Sequence, residues 1–390
     1  MSGAGSLTNF ARLISPLGRR PARPRVLLLA LEFPRWDAAA RHVSYASSLG
    51  LEEGLAAHGV SWVTITTPWF WRARELCRGR TFDQVWIEIA RWEHFTHDWL
   101  EWMAGLAPVR LGFLAESRTY RPEEIAINPA FFSGATERIE RRLKYVTHVA
   151  AIDERDAREI DERFVPAIWW PQAVPARVIV DEAPSPAMRC AVFSGSLYGR
   201  RPELLARPGV AEVLRLQRSP ERGTLDPHLF DGLHRIVSGL RRLRWPAGSG
   251  ALDAYLRALR SVRRRCFDRW LRSMQEGCAV VNLPSCVKAY AGRVPEAMAA
   301  GRPVISWRVP DRPRTEALFA DGREILLFDA DRPEELVEHA RRLCRDEGLG
   351  RRMADAARTK LRRFHTIEHR TGQILDWLER GATPDFGEGA

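Results

Sequence analysis

The segment 292–306 holds residue types that suit the binding of a phosphate and of a sugar diol. Pro295 favours the first turn of a helix, and Gly301 favours the end of that helix. Glu296 then lies in the first turn, where free backbone N–H groups favour negative charge. Arg293 precedes it and supplies the positive charge that a phosphate needs. Because a carboxylate repels phosphate but accepts hydrogen bonds from hydroxyl groups, Glu296 fits a ribose better than a metal ion.

This short helix is expected to face the carboxyl end of a buried strand. Residues 279–283 are typical of a buried strand in a parallel sheet that is covered on both faces, and 303–307 form the next strand. Helix N-termini beside the carboxyl ends of such strands bind anions. The segment therefore predicts an anion site within an α/β fold.

Apolar runs and helical spacings alternate along most of the chain, which predicts parallel sheets covered by helices. A proline-rich stretch at 166–188 is the best position for a linker. The predicted parts are a flexible arm at 1–24, a first domain at 25–175, a second domain at 189–365, and a crossing helix and tail at 366–390. The predicted strands are 25–31, 60–65, 84–89, 109–114, 146–152, 189–194, 279–283, 303–307 and 325–328, and the closing helices are 332–346 and 348–380.

The composition is that of a globular protein with a basic surface. Of 390 residues, 45% are hydrophobic and 28% are charged, which excludes collagen, coiled coil and general disorder. The net charge is +11, and nearly all of the basic residues are arginine. Such a charge is compatible with nucleic acid, with an anionic membrane surface, with phosphorylated ligands, or with a solvated surface that binds nothing.

The six cysteines show no C-x-x-C spacing, so we predict reduced core residues rather than a zinc site. The longest apolar run near the start, 26–31, is far shorter than the ~20 residues that span a bilayer. No secretory signal precedes it, and a cytoplasmic location is expected. The sequence also lacks the G-x-G-x-x-G, Walker A and G-x-S-x-G motifs, which argues against an oxidoreductase, a P-loop NTPase and a hydrolase.

Several segments, taken in order, resemble one family. Segment 292–306 resembles the nucleotide-binding signature of GT-B glycosyltransferases, and 321–328 resembles their "DGxxGLLF" stretch. Segment 364–370 is similar to the "HTYEHR" ending of the spore-maturation-protein-like branch (glycosyl transferases group 1). Further agreeing pieces are 115–117, 152–156, 171–175 and 192–201. The resemblance covers 189–380 well and 25–175 loosely.

The resemblance implies an α/β protein of the GT-B class, with two Rossmann-like domains that face each other across a cleft and a C-terminal helix that crosses back to the first domain. The first domain would hold the acceptor, and the second would hold a nucleotide-sugar donor. The implied reaction is a metal-independent hexosyl transfer that leans towards retention of configuration and needs no cofactor. The acceptor stays open: a glycan, a lipid, a protein or a small molecule. Contact with a membrane surface is a further option, and no nucleic acid partner is expected.

Carried over by position, the resemblance assigns the donor site. Glu296 would bind the ribose, Arg200 or Arg201 would neutralise the diphosphate, and Gly195 would let backbone approach a phosphate or the acceptor. Arg293 belongs to the same site as a phosphate ligand.

Three residues are candidates for the chemical step. Lys288 occupies the position, eight residues before Glu296, where retaining relatives carry a glutamate, and a lysine cannot accept hydroxyl protons from the donor sugar. His42 and Glu116 follow predicted strands of the first domain, at the edge expected to face the cleft. The lysine keeps a second interpretation open, a catalytically inactive nucleotide- or sugar-binding relative. The net charge keeps a third one open, a basic protein that binds a membrane surface or nucleic acid.

Overall fold

The computed structural model describes residues 25–30, 49–90, 95–195, 197–217, 226–242 and 249–389. The predicted arm at 1–24 and His42 lie outside these residues. The strands are β1 (Arg25–Ala30), β2 (Ser61–Thr66), β3 (Gln84–Glu88), β4 (Val109–Leu114), β5 (His148–Ala151), β6 (Ala167–Trp169), β7 (Ala191–Ser194), β8 (Leu214–Gln217), β9 (Ala279–Asn282), β10 (Val304–Trp307) and β11 (Leu326–Phe328).

The α-helices of the described residues accompany these strands, and two short 3-10 helices lie at Thr67–Arg72 and Ala176–Val178. The α-helices are α1 (Leu49–Ala57), α2 (Ala73–Leu76), α3 (His97–Ala104), α4 (Pro122–Ile127), α5 (Pro129–Phe132), α6 (Ala135–Leu143), α7 (Glu154–Arg163), α8 (Arg201–Ala206), α9 (Pro208–Val213), α10 (Asp226–Arg242), α11 (Ser249–Gln275), α12 (Arg293–Ala299), α13 (Pro313–Ala317), α14 (Pro333–Arg345), α15 (Glu347–Phe364) and α16 (Ile367–Arg380).

The first sheet is parallel and has the strand order β2-β1-β3-β4-β5-β6. Val26 of β1 pairs with Trp62 of β2 and with Gln84 of β3. Val26, Leu27 and Leu29 are fully buried. Both faces of β1 are therefore covered, which explains why this strand is a continuous apolar run in the sequence.

The second sheet is also parallel, with the order β11-β10-β9-β7-β8. In each sheet the strand order reverses once, between β1 and β3 in the first sheet and between β7 and β9 in the second. Ligands of open α/β sheets bind at the carboxyl ends of the strands beside such switch points. Two parallel sheets with covering helices confirm the predicted fold class of two Rossmann-like units.

The last helix returns to the first domain, as expected. α16 packs against α1, and its Ile367 and Ile374 are buried in one core with Val26. A Cβ atom at Gly54 of α1 would lie 1.9 Å from Thr371 Oγ1. Only glycine permits this close approach of the two helices.

Helix α11 contacts both domains along its 27 residues. Arg260 donates to both carboxylate oxygens of Glu52 on α1, at 2.7 and 2.8 Å, and both side chains are buried. Tyr255 packs on Trp69 of the first domain, with 5.9 Å between ring centroids. The other end of α11 reaches the second domain through Trp270.

The closing part of the chain and the linker differ from the prediction. The single helix predicted at 348–380 is two helices, because the Thr366 side chain accepts a hydrogen bond from His369 N and caps a new helix after His365. The predicted linker 166–188 begins with β6, which belongs to the first sheet. The crossing between sheets therefore starts after Trp169.

The prediction of six reduced cysteines is wrong for one pair. Cys278, just before β9, and Cys344 on α14 form a disulfide, with 5.5 Å between Cα atoms. They lie 66 residues apart in sequence, so only the packing of α14 against β9 brings them together. Among the described residues, no helix is long and apolar enough to cross a membrane.

Candidate functional site

The switch point of the second sheet is occupied by the side chain of Arg293. Its Nη1 donates to Asn282 Oδ1 at 3.3 Å, and its guanidinium carbon lies 5.0 Å from the ring centroid of Phe193. A Cβ atom at Gly195 would lie 2.5 Å from Arg293 Nη2. The structure therefore brings Gly195 and Arg293 together at the carboxyl ends of β7 and β9, and a side chain at position 195 would require Arg293 to shift.

A second guanidinium shares the Phe193 ring. Arg201 is 2% exposed, and its guanidinium carbon lies 5.5 Å from the centroid of Phe193 and 4.0 Å from that of Tyr198. Its Nε donates to the carbonyl of Pro284 at 2.7 Å. The side chain thus fixes the loop after β9. It does not line the cavity between the two domains.

The two guanidinium groups affect each other. Burial lowers the pKa of Arg201, and burial together with the positive charge of Arg201 lowers the pKa of Arg293. A buried and a part-buried cation beside one aromatic ring favour an anionic ligand, because an anion would offset both the repulsion and the lost hydration.

Glu296 lies in the first turn of α12, as predicted, and is 2% exposed. Its Oε2 accepts a hydrogen bond of 2.7 Å from Trp270 Nε1 on α11. Trp270 was missed by the sequence analysis, because only the path of α11 brings it to Glu296. The indole fixes the orientation of this carboxylate.

A cavity of about 760 Å³ lies between the two domains. From the second domain it is bounded by loops that follow β7, β9, β10 and β11, and from the first domain by the region of α4 and by Arg155. Its size is that of a small-molecule site. Its polar and aromatic lining includes Tyr120, Arg121, Glu123, Glu124, Arg155, Tyr198, Arg200, Ser285, Lys288, Trp307, Arg308, Asp311, Arg312, Asp329 and Asp331.

Two predicted site residues belong to this cavity. Arg200 is half-exposed and pairs with Asp331 at 2.7 Å. Lys288 Nζ lies 3.0 Å from Glu124 Oε2 and 3.1 Å from the carbonyl of Thr119, both in the first domain. Lys288 therefore joins the two domains across the cavity, where the retaining relatives are expected to carry a carboxylate.

Glu116 follows β4 and is buried, but it does not line the cavity. The next residue, Ser117, donates to Asp153 Oδ2 at 3.2 Å and accepts from the backbone N–H of Lys288 at 3.0 Å. Glu116 thus lies beside the domain contact. His42 lies outside the described residues.

Buried charged groups hold the two domains together beside the cavity. Arg312 Nη2 donates to Asp153 Oδ2 at 2.9 Å, and Glu154 accepts from the backbone N–H and the hydroxyl of Thr315. Burial, together with the charge of Asp153, raises the pKa of Asp156 to about 7. Local sequence patterns could not predict these contacts, because each joins residues about 160 positions apart.

The segment that resembles the family's "HTYEHR" ending holds the linker in place. Arg370 is fully buried and donates to the carbonyls of Pro171 and Phe364 at 3.2 and 2.9 Å. His365 is buried beside it, and burial followed by the charge of Arg370 lowers the pKa of the imidazole. In the described part of the chain, no three His, Cys, Asp or Glu side chains are placed to hold a metal ion together.

Comparison with known proteins adds to this geometry. Residues 226–376 match a family model described as glycosyl transferase-like. The sequence matches no curated protein. Sucrose-phosphate synthase from Thermosynechococcus elongatus is 13% identical, with a TM-score of 0.55 over 92% of this chain and 100% of that chain.

Two further solved structures are similar over the same 92% of this chain and 100% of their own. An alpha-glucosyltransferase in complex with UDP is 11% identical with a TM-score of 0.55, and Anabaena Alr3699/HepE in complex with UDP and glucose is 11% identical with a TM-score of 0.52. The narrower resemblance to the spore-maturation-protein-like branch stays a prediction. The chain therefore has the GT-B fold of these proteins, and its residues 226–376 match a glycosyl transferase-like domain.

Proposed function

We propose that the protein is a glycosyltransferase that takes a sugar from a nucleotide-diphosphate donor and transfers it to an acceptor. The observation that carries this proposal is the pair of guanidinium groups, those of the buried Arg201 and the part-buried Arg293, beside Phe193 at the switch point of the second sheet. The glycosyl transferase-like match of residues 226–376 supports the reaction class.

Each residue of the switch point has a role in this proposal. Arg293 binds the diphosphate, and Gly195 leaves room for it beside the end of β7. Glu296 accepts hydrogen bonds from the ribose, with Trp270 fixing the carboxylate. Arg201, which packs on the same Phe193 ring as Arg293, adds positive electrostatic potential and holds the loop after β9. Since guanidinium groups supply the positive charge, the proposed reaction needs no metal ion.

The leaving group in such a transfer is the nucleoside diphosphate. Positive charge placed in advance beside its phosphates stabilises the charge that develops as the bond to the sugar breaks. Closure of the two domains around the donor would keep water away from the reacting sugar. Lys288, Glu116 and His42 stay candidates for the chemical step, and retention of configuration stays a prediction from the resemblance.

The domain roles follow from this arrangement. The second domain, 189–365, holds the donor; the first domain, 25–175, faces the acceptor; and 366–390 joins them. UDP is the first nucleotide to examine, because two of the similar structures contain UDP. The identity of the acceptor stays open. A cytoplasmic location and contact with a membrane surface stay proposals.

A second candidate function has its own observation. Lys288 pairs with Glu124, and the carboxylate of Glu296 is covered by Trp270. A protein in this state could bind a nucleotide or a sugar without transferring it. This candidate predicts nucleotide binding with no turnover.

Thermal unfolding in the presence of UDP, GDP, dTDP and ADP tests the proposal. A nucleotide at a hundred times its dissociation constant stabilises the folded state by about 2.7 kcal/mol, which raises the unfolding midpoint by several degrees. Glu296→Ala is expected to reduce this shift, and the exposed Glu338→Ala on α14 serves as the matched control.

Three outcomes separate the candidates. No shift with any nucleotide contradicts a donor site. A shift that Glu296→Ala abolishes, together with release of nucleoside diphosphate from the nucleotide sugar, supports the transferase. The same shift without release of nucleoside diphosphate favours the binding protein.

A further inference from the structure

Asp311, in the loop between β10 and α13, has an unusual backbone conformation. Its φ is +58°, and among the described residues no other non-glycine residue has a positive φ. This conformation is unfavourable for L-residues, although aspartate tolerates it better than most. Residues of this kind persist only where the surroundings enforce them, and they concentrate at binding and catalytic sites.

The neighbouring Arg312 enforces this conformation. It is buried, and its Nη1 donates to the carbonyls of Pro310 and Asp311, at 3.3 and 3.0 Å. Its Nη2 donates to Asp153 of the first domain. The loop is therefore fixed by the contact between domains, and the position of Asp311 depends on that contact.

The carboxylates that line the cavity differ in what they bind. Glu124 pairs with Lys288, Asp331 pairs with Arg200, and Asp329 accepts from the backbone N–H of Asp331. The side chain of Asp311 is exposed and makes no hydrogen bond or ion pair with the other residues that the structure describes. A carboxylate held in the cavity at a conformational cost, with its acceptor oxygens open, is suited to a ligand with hydroxyl groups.

We propose that Asp311 is a specificity-determining residue that accepts hydrogen bonds from hydroxyl groups of the donor sugar. This inference rests on the proposed function. The loop of Asp311 and the segment of Arg293 lie at the same edge of the second sheet, so a sugar attached to a diphosphate at Arg293 would enter this cavity. Trp307, the last residue of β10, lines the cavity and supplies an aromatic wall.

The experiment compares the affinity of each nucleoside diphosphate with that of its own nucleotide sugars. The pairs are UDP with UDP-glucose and UDP-N-acetylglucosamine, GDP with GDP-mannose, and dTDP with dTDP-glucose, measured by calorimetry with the full chain. Asp311→Asn removes the charge and keeps a residue that tolerates positive φ. Asp311→Gly removes the side chain and relieves the backbone.

We expect both variants to keep the unfolding midpoint and the affinity for the free diphosphate. Both should weaken the affinity for the preferred nucleotide sugar about tenfold or more, since a hydrogen bond to a charged group is lost. Glu338→Gln removes an exposed carboxylate of α14 that does not line the cavity, and it should leave the sugar-dependent affinity unchanged.

The outcomes are distinct. Variants that lower the unfolding midpoint and leave the sugar-dependent affinity intact would show that Asp311 is a structural turn residue, and the inference is overturned. The inference is also overturned if every nucleotide sugar binds to the unaltered protein with the same affinity as its free nucleoside diphosphate. If no nucleotide binds at all, the proposed function itself has failed.

Discussion

The switch point of the second sheet and the cavity between the domains are built in different ways. The switch point uses strand ends and the first turns of α8 and α12, all in one domain; its Arg201 and Glu296 are buried and its Arg293 is part-buried. The cavity uses loops from both domains, and its Arg200 and Lys288 are held by carboxylates. We infer that the fold of the second domain positions the charges proposed to bind the anion, whereas the shape of the cavity proposed to hold the sugar depends on the contact between the two domains.

The largest expected effect is on UDP affinity, and it distinguishes the switch point from the cavity. Arg293→Ala should weaken UDP binding about 10- to 100-fold, because a charge-assisted hydrogen bond to phosphate is worth about 1.5–3 kcal/mol. Arg200→Ala should change it less than about threefold, since an exposed, ion-paired arginine contributes little. Calorimetric titration with UDP measures both. The reverse ranking would place the diphosphate in the cavity.

The next effect concerns the contact across the cavity. Lys288→Glu places a second carboxylate beside Glu124, where both side chains are largely buried. The variant should therefore lower the free energy of unfolding by about 1–2 kcal/mol. Glu124→Lys should do the same, and the double variant with both changes should recover most of the loss. Urea unfolding of the four proteins measures this coupling.

UDP affinity supplies the control for that cycle. It should stay within about threefold in all four proteins if the switch point acts independently of the cavity. An equal loss of UDP affinity in the single variants, restored in the double variant, would contradict the separation of the two regions.

The smallest effect is expected at Trp270. Trp270→Phe removes the hydrogen bond to the buried carboxylate of Glu296 and should weaken UDP binding about threefold, with a loss of about 1 kcal/mol in stability. Trp69→Phe alters a buried indole in the first domain and should leave UDP affinity unchanged. Tighter UDP binding in Trp270→Phe would show that the indole blocks the carboxylate instead of positioning it.

The two regions also differ in how far the sequence predicts them. Strands such as 279–283 are largely apolar, and the residues that follow them must lie at one sheet edge, so Arg293 and Glu296 could be predicted from local sequence, whereas Gly195 was predicted from the resemblance. The resemblance also predicted Arg200 or Arg201 as the ligand of the diphosphate. It could not show that the Arg201 side chain donates to the carbonyl of Pro284.

The cavity could not be derived in this way. The partner of Lys288 lies 164 residues away, and Asp311 is held through Arg312 by Asp153, 159 residues from that arginine. The disulfide and the contact of Trp270 with Glu296 likewise depend on how distant elements pack. Local patterns carry no signal for such contacts, because docking of whole domains and helices decides them.

A crystal structure of the protein with UDP would show whether the switch point of the second sheet is the donor site. We expect the diphosphate within hydrogen-bond distance of the Arg293 guanidinium and beside Gly195, with the ribose hydroxyls on Glu296. Nucleotide bound elsewhere, or an Arg293 that keeps its distance from the phosphates, would contradict the claim that the switch point of the second sheet is the donor site.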